Sequence, residues 1–488
     1  MRLTARQRAA IMLVSPLGGP ERRLTEVDLP LQVTYVQGVS PPRVSWTPDS
    51  NSLVIVDRGS AAEPLGLFAL SVETGEKWRL TKPPSAELID AGPAVSPDGS
   101  SVVFTRTSSN IGVGDLFGLR LGPGLVAAGE PKRLTTDNRG NGHPAWTPDG
   151  REIIFSSPRA GGFFALWRIP AAGAAEPHRI LSAGDGALFP ALSKQGNMLV
   201  YTKYALDSNI WKAATANGEL SGLTGSTRQD VMPMFSPDGT KVAFSSDRGG
   251  YFQIWICDAG GASAVQLTSL MGRSFHPAWS PDGKRIAFQS NTEGIDNIYI
   301  VNSEGGKPRL LTSTADRGGV WPSFSADGKW VYYSTLKTGR DEIWKVPSAG
   351  GTPVQVTTSG GFLPRESPDG KYLYYMSLSV TSRLNRMSVG GGRPESVVDD
   401  VAARGFDITP RGVYFFVPPV TASLRDYYEV NANSRLFFLD LATRQTRLVA
   451  DVKLPLQLGL TVSPDGSSVL YSQIDQIVED LMLVEDFR

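Results

Sequence analysis

The chain has 488 residues, of which 20% are charged and 41% hydrophobic, the balance of an ordinary folded protein and not of a disordered one. Lysine plus arginine equals aspartate plus glutamate at 48 each, so no global basic field is present to hold nucleic-acid phosphates, and nucleic acid is not an expected partner. The length exceeds one ordinary core. The single cysteine, Cys257, excludes an internal disulfide and a multi-cysteine metal site; within the apolar run QIWICDAGG it is expected to be a buried thiol.

The N-terminus, MRLTARQRAAIMLV, places Arg2, Arg6 and Arg8 before an apolar run. Ala9 to Val14 is shorter than the ~7–15 residues of a secretory h-region, and it reads as a β-strand. A Gly-Gly turn and the run RRLTEV follow, as a third and a fourth strand of one unit, with MRLT as the tail of a still earlier one. From there a Ser/Thr-Pro-Asp-Gly turn recurs. Its third positions are residues 49, 98, 149, 195, 238, 282, 327, 369, 411 and 465, in steps of 42–54 residues, with worn copies at 193–196 and 409–412. Asp-Gly supplies two positions able to take φ > 0 in a tight hairpin, and the proline ahead of it belongs at a strand end because it has no N–H to pair.

The unit around PAWSPDG at 277–283 shows the full pattern. After the turn comes KRIAFQS, alternating as a half-buried strand does. Then come NIYIVN, a Gly-Gly turn and RLLT. Trp46, Trp146 and Trp279 precede the turn, and Trp167, Trp211, Trp255 and Trp344 fall on the third strand; aromatics fixed to a repeat position are expected to pack between units. The SDRGG stretch at 246–250 reads as a solvated hairpin. Two units are lengthened, at Gly122 to Pro131 and at Pro418 to Asn433. The last unit ends VSPDG, SSVLYSQ, DLMLVEDFR, that is, after a third strand. Leu220 to Thr224 is a candidate for its missing outer strand, since propellers seal their ring with a strand from elsewhere in the chain.

A period near 45 with four short strands per unit specifies an all-β β-propeller fold of about ten four-stranded blades. The expected division is an incomplete N-terminal propeller of about four and a half blades at 1–218, which the chain enters partway through a blade, and a closed six-bladed ring at 219–488. The repeat PAWSPDGKRIAFQS…NIYIVNSEGGKPRLLT resembles the TolB-type (WD-like) propeller repeat over nearly the whole chain, and eight of ten turns keep the pattern. SDRGGYFQIWICDAGG and DLMLVEDFR are similar to a bacterial subgroup in which such propellers form the C-terminal part of winged-helix regulators or of membrane-attached kinases. That resemblance implies a sensory or protein-binding role. No winged helix, kinase glycine loop or HRD motif accompanies it, nor the N-terminal domain and signal peptide of periplasmic TolB.

No G-x-S-x-G, H-E-x-x-H, P-loop or dinucleotide motif occurs, so no catalytic residue, cofactor or metal is expected. What varies from unit to unit is the residue before the proline of the innermost strand, at the expected mouth of the central channel. A ligand site is expected from Asp230, Met232, His276, Trp321, Phe362 and Arg404, a mixed aromatic and polar rim suited to a peptide or small molecule. Arg425, Tyr427 and Tyr428, in the long insertion, form a candidate partner loop. The expected function is a non-catalytic scaffold or sensory module; the alternative is a lyase or hydrolase acting at the channel mouth. With neither a leader nor an apolar span, the chain is expected in the cytoplasm, or in the periplasm if it is a fragment of a membrane-anchored parent.

Overall fold

The computed structural model describes residues 2–487 except 5–7, 29–43, 61, 86–87, 109–113, 138, 161–162, 174, 196, 294, 314–317, 378–381, 403–404, 418–433 and 454. The described residues form antiparallel strands and one 3-10 turn, Leu181–Ala183. Among the described residues, no helix is long and apolar enough to cross a membrane. Two compact units emerge: residues 1–205 with 478–488, and residues 206–477. Residue 218, after which the sequence suggests a boundary, lies between two paired strands of the second unit.

The second unit is a ring of six four-stranded sheets. In the sheet that begins at Ser274–Trp279, Arg285–Ser290 pairs Ile286 with Val301 and Phe288 with Tyr299 on Asn297–Asn302, and a two-residue outer strand, Arg309–Leu310, completes it. Alternation sends Ile286 and Phe288 toward the preceding blade, where they are fully buried with Ile254 and Trp279; each such side chain contributes about 1.5–3 kcal/mol by leaving water. The core is therefore a series of layers between blades.

The turn is held by its own side chains. Ser280 Oγ donates to Asp282 Oδ1 at 2.5 Å and accepts the Arg285 N–H at 2.9 Å, while Asp282 Oδ1 also accepts the Lys284 N–H at 3.1 Å. Donors converging on the carboxylate hold it below its ordinary pKa, the Ser280 hydroxyl most of all. In the copies at Asp98, Asp238, Asp327 and Asp465 the value falls to about 2, again with the serine hydroxyl as the largest cause. Only the glycine of each Asp-Gly pair takes positive φ, +69° at Gly283, so the turn is not the type with both central residues left-handed.

The sixth sheet is assembled from the two ends of the second unit's sequence. Its strand order is Leu456–Val462, Ser468–Val484, Leu199–Ala214 and Leu220–Gly222. DLMLVEDFR is thus no separate third strand: through Val484 it continues the 17-residue strand that starts at Ser468. The third and fourth strands of this blade come from residues 206–222, with Leu220 registered on Ala213.

The first unit contains the four-stranded sheets that begin at Val44 and Gly142, and a sheet beginning at Leu88 whose third strand carries the extra hairpin of the 122–131 insertion. Residues 199–205 and 478–484 belong to its last sheet, beside Ala187–Leu192. Its first sheet is Arg2–Thr4, Arg8–Leu13 and Arg22–Asp28, with Arg2 registered on Ala10, so MRLT is a strand of that same sheet. Trp46 is 48% exposed and not packed between blades, whereas Trp146 and Trp279 donate their indole N–H to the Ala94 and Met234 carbonyls of the preceding blade, at 2.9 and 3.1 Å.

Candidate functional site

Four innermost strands of the second unit break register at the same place, one residue before a proline. In the second unit the shifts lie between Val231 and Met234, Phe275 and Ala278, Val320 and Ser323, and Phe362 and Arg365. The proline at each break has no N–H to give the ladder, and the residue before it takes up the slack in the left-handed region: Met232 at φ 58°, His276 at 55°, Trp321 at 55° and Leu363 at 53°. Such a conformation costs a non-glycine residue on the order of 1 kcal/mol or more. Side chains of neighbouring blades hold some of the displaced N–H groups: Met232 donates to Ser472 Oγ at 3.0 Å and Trp321 to Gln289 Oε1 at 3.1 Å. The first unit repeats the device at Gly92, His143 and Phe189, with φ of 60°, 53° and 51°.

The bulges turn these residues into a central tunnel. All six innermost strands of the second unit line it, through Met232, His276, Trp321, Leu363, Phe406 and Leu460 among others, which closes the ring. Its empty volume, including the solvent-open mouth, is about 480 Å³. The His276 ring meets Trp321 edge-on at 5.8 Å. His276 Nδ1 lies 2.8 Å from Gln289 Oε1. That oxygen already accepts the Trp321 backbone N–H, and Gln289 also bonds Asp296 through its side chain. The amide is therefore oriented with its oxygen inward, and Nδ1 must be the protonated nitrogen of the neutral imidazole.

Of the six rim residues, Met232, His276 and Trp321 come together in the tunnel. Phe362 lies behind it, 3% exposed, with its ring 5.0 Å from Trp321. Asp230 is fully buried in a two-point ion pair with Arg248, whose Nε lies 2.9 Å from Asp230 Oδ1. The Arg248 guanidinium also covers the Phe244 and Trp255 rings at 5.5 and 5.8 Å, so SDRGG is a clamp within its blade and not a solvated hairpin. Arg404, Arg425, Tyr427 and Tyr428 lie outside the described residues.

One tunnel residue and its charge partner lie outside the position before proline. Arg365 follows Pro364, where the preceding blades have Met234, Ala278 and Ser323. It lines the tunnel, and burial pushes its pKa down. Asp407 is the facing charge. Burial raises its pKa, Arg365 and its hydrogen bonds oppose the rise, and its carboxylate accepts the Val462 and Ile408 N–H groups at 2.9 Å each. A cation at a position otherwise small or apolar was the available signal. In the first unit, His143 packs 4.2 Å from Phe189, and burial pulls its pKa down to about 4. Cys257 is 2% exposed, with its thiol pushed up to about 12 by burial first. Among the described residues, no group of three or more His, Cys, Asp or Glu side chains is arranged to hold a metal ion.

Residues 264–416 match the family model of the TolB β-propeller domain. An uncharacterized protein of Agrobacterium fabrum, Atu1656, is 28% identical over 148 residues, 30% of this chain and 47% of that protein. The uncharacterized peptidase YuxL of Bacillus subtilis is 32% identical over 143 residues, 23% of this chain and 21% of the peptidase. The chain thus spans less than half the length of these relatives. Among solved structures, a putative TolB from Agrobacterium tumefaciens aligns with a TM-score of 0.31 and 19% identity, covering 71% of this chain and 94% of that one. The tricorn protease aligns with a TM-score of 0.38 and 14% identity, covering 96% and 60%.

Proposed function

The chain is a TolB-type β-propeller protein, and on that premise we propose that its second unit is a non-catalytic binding module that takes a peptide or small molecule at the mouth of the central tunnel. The observation that carries this reading is the contrast at one repeat position. The backbone device is the same in four neighbouring blades, but the side chains it turns inward differ: Met232, His276, Trp321 and Leu363. A frame held constant around differing side chains offers an aromatic edge, a thioether and an imidazole to one ligand, the mix of apolar wall and few polar groups that small-ligand sites use.

The competing reading is a hydrolase, favoured by the 32% identity of one segment to an uncharacterized peptidase. One experiment separates them. A pool of short random-sequence peptides is titrated into the full chain, with tryptophan fluorescence read for binding and new amine ends for cleavage. Trp321→Gly is the matched variant, since glycine suits the left-handed position and occupies it at Gly92. Binding without cleavage, about tenfold weaker in the variant as for loss of a stacking aromatic, is the expected result. Cleavage that disappears in His276→Ala selects the hydrolase, and unchanged binding by Trp321→Gly removes the mouth as the site.

A further inference from the structure

Arg365 is the one arginine among the described residues lining the tunnel of the second unit. Its Nε is buried and has no hydrogen-bond partner among the described residues. The walls around it are Met232, Met234, Trp321, Leu363 and Phe406, a poor substitute for the water an isolated guanidinium gives up. Asp407 offers an opposite charge, but its carboxylate is engaged by the Val462 and Ile408 backbone N–H groups. The backbone does not require a cation here: the same position is Met234, Ala278 and Ser323 in the other three blades that carry the bulge.

A guanidinium keeps planar, forked donors, and a planar oxyanion is the group that satisfies them. We propose that the tunnel is an anion port, in which Arg365 receives the carboxylate of a ligand whose body rests against Trp321 and His276. The inference deepens the binding reading above and rests on it. It names the class of ligand: one that ends in a carboxylate, either a free small organic acid or the C-terminus of a peptide. The apolar wall makes the interaction stronger than the same pair in water, because the competing solvent is thinned out. Asp407 opposes it, so the port favours ligands that add apolar contact at the mouth to their charge.

The test uses the full chain, with calorimetric titration of acetate, of N-acetyl-trialanine as the acid, and of the same peptide as its C-terminal amide. Acid binding with no detectable amide binding is expected, and Arg365→Met should weaken the acid about 10- to 100-fold, the usual weight of hydrogen bonds to a charged group. Acetate binding as well as the peptide acid assigns the port to free small acids; a marked preference for the peptide acid assigns it to chain ends. Equal affinity for acid and amide, or full acid affinity in Arg365→Met, overturns the proposal. The acid–amide comparison needs only the unmodified chain, and Arg365→Lys, which keeps the charge and loses the fork, is expected to fall between the other two forms. Acid binding lost in Trp321→Gly but untouched in Arg365→Met would sink the port and leave the mouth site standing.

Discussion

Trp211 and Asp475 are 264 residues apart in sequence and joined by a 2.9 Å hydrogen bond, from the indole Nε1 to a carboxylate oxygen. The other oxygen of Asp475 accepts from Asn209 Nδ2, also at 2.9 Å. This clasp fastens the strand donated from residues 206–214 to the final long strand and so closes the six-bladed ring. Asp475→Ala should cost about 2–4 kcal/mol, because it removes a charged acceptor from these two donors and from Gln473 Nε2, which lies 3.0 Å from the same oxygen as the indole. The loss should appear as a lower urea midpoint, with faster amide exchange at 206–222 before other strands of the second unit. An unchanged midpoint would mean that the clasp does not hold the ring.

The Asp230–Arg248 clamp makes a sharper expectation, because its carboxylate is fully buried. Removing the arginine strands that charge, so Arg248→Ala should destabilise by about 3–5 kcal/mol, and Asp230→Asn, which keeps an acceptor, by less. Arg106 and Asp90 form the same pair in the first unit, at 2.7 and 2.9 Å, over the Phe104 and Phe117 rings. Arg106→Ala should behave alike. Denaturant midpoints of the three variants decide this; an Arg248→Ala value within error of wild type rejects it.

The repeat made the blades, their strand order and the outer-strand donor legible, because turn chemistry and period-two alternation are written into neighbouring residues. What stayed hidden depends on residues far apart in sequence. SDRGG looks solvated until Arg248 is seen to reach across its blade to Asp230. DLMLVEDFR looks like a third strand because nothing local says that the strand from Ser468 runs on through it. At the site, the position before proline was readable as variable and pointed to Met232, His276 and Trp321. Arg365 was not, since it follows the proline, and which way that position faces depends on the register shift between Phe362 and Arg365. Asp230 was misplaced because a charge beside the channel position resembles a rim residue unless its partner is known.

Two glycines with similar φ should respond very differently to alanine. Gly283, at +69°, has only Pro237 Cδ near its missing Cβ, at 4.0 Å. Gly318, at +72°, would place a Cβ 1.9 Å from the Asp296 carbonyl oxygen, which is fixed by the Gly319 N–H at 2.7 Å. Gly283→Ala should therefore cost only the conformational penalty, about 1 kcal/mol. Gly318→Ala must also displace backbone and should lose several times as much. Thermal melts of the two variants check this, and equal losses would show that φ alone governs both sites.

His143 and Asp247 should give opposite pH slopes. His143 has a folded pKa of about 4 against 6.5 unfolded, because burial disfavours the cation. Between those values the unfolded chain binds the proton and the folded one does not, so stability is lost as pH falls from 6.5 toward 4, by at most about 3 kcal/mol. His143→Asn, neutral and tolerant of the left-handed backbone, should lack that loss. Asp247 is 4% exposed, and burial lifts its folded pKa to about 6 from 3.8, against the pull of the Gln229 N–H bond at 2.8 Å. The folded state then holds the proton longer, and stability falls as pH rises from about 4 to 6. Asp247→Asn keeps an acceptor for Gln229 without the charge and should stabilise the chain above pH 6 while changing little near pH 4. Urea titrations at pH 4.5, 6 and 7.5, each read as variant minus wild type, separate the two groups. A His143→Asn difference that does not grow toward low pH, or an Asp247→Asn difference that does not grow toward high pH, contradicts the corresponding assignment.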